Sequence, residues 1–544
     1  MTVAELFIKC LEEEGVKYIF GVPGEENLAF MDAVLDSDIE FIVTRHETGA
    51  AFMAGLMGRL TGKPGVCLST LGPGATNMLT GVADANMDRS PLVAITAQAG
   101  MDRQHKESHQ TYNLVELYKP VTKWNASIRA REITPEVIRK AFSTAKDEKP
   151  GATHIELPED IAGMDVDVSP MDTRYEKPHM VEAKDETIAE AADIINQSKK
   201  PLILCGNGIT RDYADKEIQA FAEKIQTPVT ETFMGKGAMP WKNPLCMMTA
   251  GVPGKDWINC GFDYADLIIT VGFDMAEYPP AKWNQSDTPI LHIDTIEAET
   301  DTHYPVRLNV IGDLSENVSK ITDAVQPREE IDGYYQDLRE NMVADSREYE
   351  QDNSFPVKPQ RIISDLQSVL SKEDIVLTDV GAHKIWMGRM YHADEPNTCL
   401  ISNGLASMGY ALPGAIAAKM VDPDKNVVAV VGDGAYQMTG MELETAVRLE
   451  LPIVILLWRD DAYGLIEWKQ RNEYGRPSNI SYGDPDFVAL AKAYGAEGLR
   501  VEKTEDLVPT LEQALKLKKP VLIDCPVDYS ENMKLTERLS NIDC

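Results

Sequence analysis

Two apolar runs flanking a glycine-bracketed aspartate constrain this chain more than any other feature. Asn426-Val-Val-Ala-Val-Val431 breaks at Gly432-Asp433-Gly434, and a second run, Pro452-Ile-Val-Ile-Leu-Leu-Trp458, ends at Arg459-Asp460-Asp461. Both runs are short, β-branched and apolar throughout, the pattern of parallel strands buried on both faces. Between them Thr439-Gly-Met-Glu442 has capping-box spacing and predicts a helix to about residue 450. Strand, glycine turn, helix and strand make a βαβ unit. In such a unit the C-terminal strand ends share one edge, so Asp433 and Asp460, 27 positions apart, are expected to face a common point. Glycines on both sides of Asp433 let backbone N–H groups approach an anion. Paired carboxylates beside bare backbone suit Mg²⁺, which keeps coordination positions for phosphate oxygens.

The same alternation runs along the rest of the sequence and predicts an α/β chain of three doubly wound parallel-sheet domains. The first, residues 1–165, reads as a helix over 3–14, strands at 18–20 and 41–44, a small-residue helix over 49–59, and strands at 65–68, 91–96 and 155–157. An irregular stretch bearing acids and prolines, 165–184, predicts a linker. The second domain, 185–328, opens with a helix over 185–197 and a strand at 202–205, then continues through strands at 267–271 and 290–293. A charged helical linker at 329–351 leads to the third, 359–544, with a helix over 360–370 and a strand at 375–377 before the unit described first. No sequence repeat links the first and third domains.

Hydrophobic residues make up 43% and charged ones 26%, a globular composition, and the net charge of −34 argues against nucleic-acid or anionic-membrane partners. No apolar run approaches the roughly 18 residues of a membrane span. The first sixteen residues mix Glu5, Lys9 and Glu12 to Glu14 with apolar positions, unlike a signal peptide, so a cytoplasmic location is expected. The eight cysteines show no Cys-x-x-Cys and several sit in apolar runs, which predicts buried thiols, neither disulfides nor zinc ligands.

Gly-Asp-Gly alone is a common turn. Followed after about 25 residues by a strand ending in an acid, it resembles the diphosphate–metal signature of thiamine-diphosphate (ThDP) enzymes. Met441-Glu-Leu-Glu-Thr-Ala-Val-Arg448 and Trp458-Arg-Asp-Asp461 are similar to the catabolic, flavin-free acetolactate synthases in particular. That resemblance implies pyrimidine-binding, central and diphosphate-binding domains, with ThDP and Mg²⁺ as cofactors. It places the metal on Asp433, Asp460 and the backbone carbonyl of Ala462. Gly432, Gly434, Ala435, Gly381, Ala382 and His383 would meet the diphosphate, His383 as a donor, although a lone histidine also serves structure. The carbonyl of Ala406 and the amide of Met408 would meet the pyrimidine, and the Met408 side chain would force the two rings into a V; by itself it fits a core methionine equally well.

Glu47, in Arg45-His46-Glu47-Thr-Gly49, is on its own a helix-start carboxylate favoured by the dipole. In the family it is the glutamate that shares a proton with the aminopyrimidine and so activates the cofactor. His109-Gln110 falls where pyruvate decarboxylases have two histidines, and Gln110 can hydrogen-bond an acceptor without supplying a proton. Glu25, His109, Gln110 and Trp468 are the substrate-side residues the resemblance names, Trp468 being equally consistent with a core tryptophan. Two departures stand out: Glu25-Glu26 replaces the family's Ala-Lys, and Ala406 replaces a Gln. FAD is not expected, because Gly206-Asn-Gly208 lacks the third glycine of the dinucleotide fingerprint and the loop Phe273 to Tyr278 lacks the arginine of flavin-bearing relatives. The implied activity is decarboxylation of pyruvate and carboligation to a second pyruvate, giving 2-acetolactate and CO₂. The alternative is a non-ligating decarboxylase of another 2-keto acid, for which the acidic pair Glu25-Glu26 is the best argument. Family members assemble each site from two chains, so a homodimer or homotetramer is expected.

Overall fold

A computed structural model describes residues 1–172, 181–252, 254–542 and 544. Part of the anticipated linker over 165–184 therefore lies outside the described residues. Three six-stranded sheets, every neighbouring pair parallel, form the framework. The first contains β1 (Tyr18–Gly21), β2 (Glu40–Val43), β3 (Gly65–Ser69), β4 (Leu92–Gln98), β5 (Trp124–Ser127) and β6 (Ala152–Pro158), in the order β2-β1-β3-β4-β6-β5. The second contains β7 (Pro201–Cys205), β8 (Val229–Glu231), β9 (Cys246–Thr249), β10 (Leu267–Val271), β11 (Ile290–Asp294) and β12 (Val306–Ile311), ordered β12-β11-β10-β7-β8-β9. The third contains β13 (Ile375–Thr378), β14 (Cys399–Ile401), β15 (Val427–Gly432), β16 (Val454–Arg459), β17 (Glu497–Arg500) and β18 (Val521–Pro526), ordered β14-β13-β15-β16-β18-β17.

Counted from its own first strand, the first sheet runs 2-1-3-4-6-5 and so does the third. Two stretches without visible sequence repetition thus adopt one topology. The central sheet runs 3-2-1-4-5-6 read from its other edge, the order of dinucleotide-binding folds.

The described residues divide into two compact units that do not follow sequence order. One comprises Met1–Pro178, Gly404–Asp424 and Thr439–Leu451; the other holds His179–Asn403, Lys425–Met438 and Pro452–Cys544. Within the first, the helix Glu47–Thr61 is built of small residues because it is crowded: a Cβ on Gly81 of the helix Pro73–Met87 would fall 2.5 Å from the Ala51 Cβ. It ends at Gly62, whose φ of 66° is the left-handed conformation glycine tolerates best.

Two expectations are corrected and a third is extended. Glu442 does not close a capping box: Thr439 makes no side-chain cap, and a helix Asp433–Thr439 is followed by a 3₁₀ turn Gly440–Glu442 and a helix Leu443–Arg448. The physical reason is competition, since the Glu442 carboxylate accepts backbone N–H groups from another loop. The charged segment 329–351 is helical as expected but does more than link, because its helix Gly333–Arg347 buries Tyr335, Leu338 and Met342. The cysteines are not all thiols: Cys260 is bonded to Cys544 with an S–S distance of 2.07 Å, a pairing across 284 positions that local pattern cannot register. The other six are free and buried.

Candidate active site

The diphosphate-side loops lie in the second unit. β15 and β16 are neighbours in register, Gly432 opposite Trp458, so the residues that follow them emerge at one edge. Asp433 is buried and heads its helix. Its Oδ1 accepts hydrogen bonds from the Gly434 N–H at 2.9 Å and the Tyr482 hydroxyl at 2.7 Å, and its Oδ2 accepts the Asp461 N–H at 2.7 Å and the Asp460 N–H at 3.3 Å. The two loops are thereby tied through one carboxylate. Burial raises the Asp433 carboxyl above the usual carboxylate range, and burial together with the Asp433 charge pushes Asp460 up to about 9. Two desolvated carboxylates that repel each other are stabilised by a cation between them.

The Ala462 carbonyl is part of the same cluster, accepting the Tyr482 hydroxyl at 3.1 Å. Asp461 sits at φ 56°, a strained conformation for a non-glycine residue that turns the chain between Asp460 and Ala462. Among the described residues no group of three or more His, Cys, Asp or Glu is disposed to hold a metal. Two carboxylates and a carbonyl are nonetheless the protein share expected for Mg²⁺ that takes its other ligands from phosphate and water.

His383 fills the second glycine turn. A Cβ on Gly381 would lie 2.6 Å from its Cε1 and one on Gly432 2.9 Å from it, so both glycines are required for the ring to stand there. Burial holds the imidazole down at about 3, hence neutral, and its buried Nε2 has no hydrogen-bond partner among the described residues. Ala382 and Ala435 are buried beside these turns. An unsatisfied polar atom and a glycine cradle fit a diphosphate.

Tyr482 and Tyr529 were not legible as site residues in the sequence. The phenol of Tyr529 is buried against the His383 main chain, and the neighbouring Asp460 and Asp433 charges add to the burial that raises it. Its only sequence signal was position, in the near-terminal Val527-Asp-Tyr-Ser530.

The pyrimidine-side loops lie in the first unit. Glu47 opens its helix, is 8% exposed, and accepts the Asn77 amide on Oε2 at 3.0 Å. Gly74 keeps the approach clear, because a Cβ there would be 3.2 Å from Glu47 Oε1 and 3.0 Å from Thr70 Cγ2. Thr70 donates to Glu26 Oε2 at 2.8 Å, so Glu26 is tied to the loop that faces Glu47, while Glu25 is exposed. Gln110 belongs to this cluster too: it stands over Gly72, whose Cβ would lie 2.8 Å from the Gln110 Cβ, and holds φ at 57°. His109 is exposed and its carbonyl accepts from Arg103. Ala406 adopts φ 57°, and Met408 is half-buried beside Gly409, whose carbonyl accepts the Thr439 hydroxyl at 2.8 Å.

Trp468 belongs to the second unit. Its indole N–H donates to Thr536 at 2.7 Å, and the ring lines a cavity of about 460 Å³ with Leu465, Asn472 and Leu539.

In the central sheet the Gly206-Asn-Gly208 turn is packed shut. The carboxylate of Glu277 accepts the Asn207 N–H at 3.0 Å, the Asp274 N–H at 3.1 Å and the Thr232 hydroxyl at 2.5 Å, and Gly208 N–H donates to the Gly272 carbonyl at 2.8 Å. Burial pushes Glu277 up to about 7.

Acid-bearing loops at the ends of parallel strands, one set with a glycine cradle, are what a phosphate-binding α/β protein presents. Comparison makes the class specific: residues 1–117, 188–321 and 379–525 match, in order, the N-terminal TPP binding domain, the central domain and the C-terminal TPP binding domain of thiamine pyrophosphate enzymes. The chain belongs to that family. It is 37% identical to acetolactate synthase of Bacillus subtilis over 98% of its length and 94% of the relative's. It is 34% identical to the catabolic acetolactate synthase of Raoultella terrigena, covering 98% and 97%, and 31% identical to the acetolactate synthase large subunit of Lactococcus lactis, covering 97% and 93%. Among the described residues no helix is long and apolar enough to cross a membrane.

Proposed function

We propose that this chain is a ThDP- and Mg²⁺-dependent acetolactate synthase, which joins two molecules of pyruvate with loss of CO₂. The observation that carries the reading is the pair of buried Asp433 and half-buried Asp460 at the edge where β15 and β16 end, in a chain similar along nearly its whole length to enzymes named acetolactate synthase. Asp433, Asp460 and the Ala462 carbonyl would hold Mg²⁺, while the Gly432–Ala435 and Gly381–His383 turns would hold the diphosphate. An anion beside His383 favours the protonated ring and so turns Nε2 into a donor. When bound, ThDP supplies the nucleophilic carbon and the electron sink for decarboxylation and ligation. The chain's own part is to hold and move a proton at the Glu47 carboxylate, with Asn77 fixing its orientation, and to present an acceptor carbonyl to Gln110, which donates a hydrogen bond but no proton. Ala406 and Met408 would support the pyrimidine side.

FAD has no part in this reading, which is supported by the Glu277 carboxylate accepting the Asn207 N–H at the turn where a dinucleotide's phosphates would sit. Glu47 and Asp433 belong to different compact units, which suits a homo-oligomer whose sites draw on two subunits. Six cysteines are free and buried while Cys260 and Cys544 are bonded, so the cysteines do not bear on the cytoplasmic location proposed. The decarboxylase alternative loses force because Glu26 is engaged by Thr70. The test is product analysis with pyruvate and a panel of other 2-keto acids. Acetolactate as the main product of pyruvate is expected; acetaldehyde as the main product, or inertness to pyruvate beside rapid turnover of another keto acid, would replace the proposal with the decarboxylase.

A further inference from the structure

Glu442 is wholly buried, and no Lys or Arg side chain makes a salt bridge with it among the described residues. Its carboxylate is spent on main chain from near the other end of the sequence: Oε1 accepts the Arg45 and His46 N–H groups, each at 3.0 Å, and Oε2 accepts Arg45 N–H at 3.2 Å and the Thr445 hydroxyl at 2.7 Å. All these residues lie in the first unit. Arg45 and His46 are the last two of the three residues between the end of β2 and Glu47. His46 is itself the cap of the Glu47 helix, its Nδ1 accepting the Thr48 N–H at 3.2 Å. The carboxylate enters only because residue 49 is glycine, since a Cβ there would lie 2.4 Å from Glu442 Oε1.

Neighbours on the same turns reinforce the grip. Glu444 pairs with Arg45 Nε at 3.2 Å, and Arg448, itself bonded to Glu444, donates to the Val43 carbonyl. Thr439 holds the Gly409 carbonyl next to Met408. One short segment, Thr439 to Arg448, therefore braces both loops to which the pyrimidine side is assigned.

We infer that Glu442 is a positioning residue for Glu47: it fixes the main chain at Arg45 and His46 so that the Glu47 carboxylate is delivered at the geometry proton sharing requires. This rests on the assignment of Glu47 as the proton-holding carboxylate. A buried carboxylate satisfied by backbone donors is rigid, because losing any of the bonds leaves a desolvated charge short of partners. Small displacements of a catalytic group are costly in rate and nearly silent in overall affinity. Gln at 442 keeps one oxygen for Arg45 and His46, Asp keeps the charge but falls a methylene short, and Ala keeps neither.

The experiment uses full-length holoenzyme with ThDP and Mg²⁺ and measures C2–H/D exchange of bound ThDP, ThDP affinity by calorimetry, and thermal unfolding for Glu442→Gln, Glu442→Asp and Glu442→Ala, with Glu47→Gln alongside. Exchange should slow about tenfold or more in the Ala and Asp variants and stay within about threefold of wild type in the Gln variant, while ThDP affinity changes by less than about threefold in all. Should the Ala variant not fold, the Asp variant decides. Wild-type exchange in the Asp variant, or affinity falling in step with exchange, would overturn the inference. Wild-type exchange in Glu47→Gln would instead overturn the assignment of Glu47, whatever the 442 variants do.

Discussion

The first and third sheets share one strand order and handle their acids in opposite ways. In the third, the acidic turn follows β15, third in the row; the equivalent strand of the first sheet, β3, leads instead into Gly72-Pro-Gly74, which carries no acid. The first sheet places its carboxylate after the edge strand β2 and satisfies the surroundings with neutral donors: Asn77 on Glu47, and main-chain N–H groups on Glu442. The third sheet crowds Asp433 and Asp460 together: burial raises both, and the Asp433 charge adds to the rise of Asp460. The same scaffold thus yields one carboxylate oriented by neutral donors and a second pair crowded together, which the proposed function reads as a proton-holding site and a cation site. Neighbours, rather than topology, decide which.

Breaking that contrast gives the largest effects. Glu47→Gln cannot share a proton and should lower turnover about 10²–10⁴-fold with little loss of ThDP binding, as followed by steady-state rates and calorimetry. Asp433→Ala should do the converse, weakening Mg²⁺-dependent ThDP binding more than about 100-fold, since even outer partners of metal ligands cost 10–100-fold. Unchanged ThDP affinity in that variant would remove the metal assignment.

Sharper contrasts come from groups around the two sites. Glu277 is raised from 4.5 to about 7 in the folded state, so its contribution to stability is full below 4.5 and is lost as pH rises through 7. Glu277→Gln should flatten the fall in unfolding free energy between about pH 5 and pH 8, removing roughly 2–3 kcal/mol of pH dependence in chemical denaturation. Gln110→His introduces a proton donor at the first-sheet site and should raise the aldehyde share of product from pyruvate several-fold, measured by chromatography. Trp468→Phe deletes the bond to Thr536 and part of a buried ring's packing; a stability loss of about 1–3 kcal/mol with unchanged product ratio is expected, and an altered ratio would place Trp468 at the acceptor.

Long buried strands and the Gly-Asp-Gly turn were legible in sequence because burial on both faces leaves an unbroken apolar run. The strands β5, β8, β9, β12, β14 and β17 were not, since half-buried segments such as Trp124–Ser127 and Glu497–Arg500 carry mixed residues, and β18 was missed although it is buried along nearly its whole length. Glu47, Asp433 and Asp460 stood out by position relative to strand ends. Glu442 was misjudged because its spacing from Thr439 imitates a capping box, whereas its partners lie 396 and 397 positions away. Tyr482 and Glu277 were missed for the same reason: a hydroxyl or carboxylate that acts on a distant turn leaves no periodic mark.

The interleaving of the two units sets a schedule for biosynthesis. The helix Ala411–Val421, buried along most of its length, and the segment carrying Glu442 both belong to the unit begun by residue 1. That unit cannot close when residue 178 leaves the ribosome and must wait for residue 451, an interval of 273 residues. At about 5–20 residues per second the N-terminal sheet spends roughly 14–55 s with an apolar helix face uncovered, the period in which a chaperone would have most to hold.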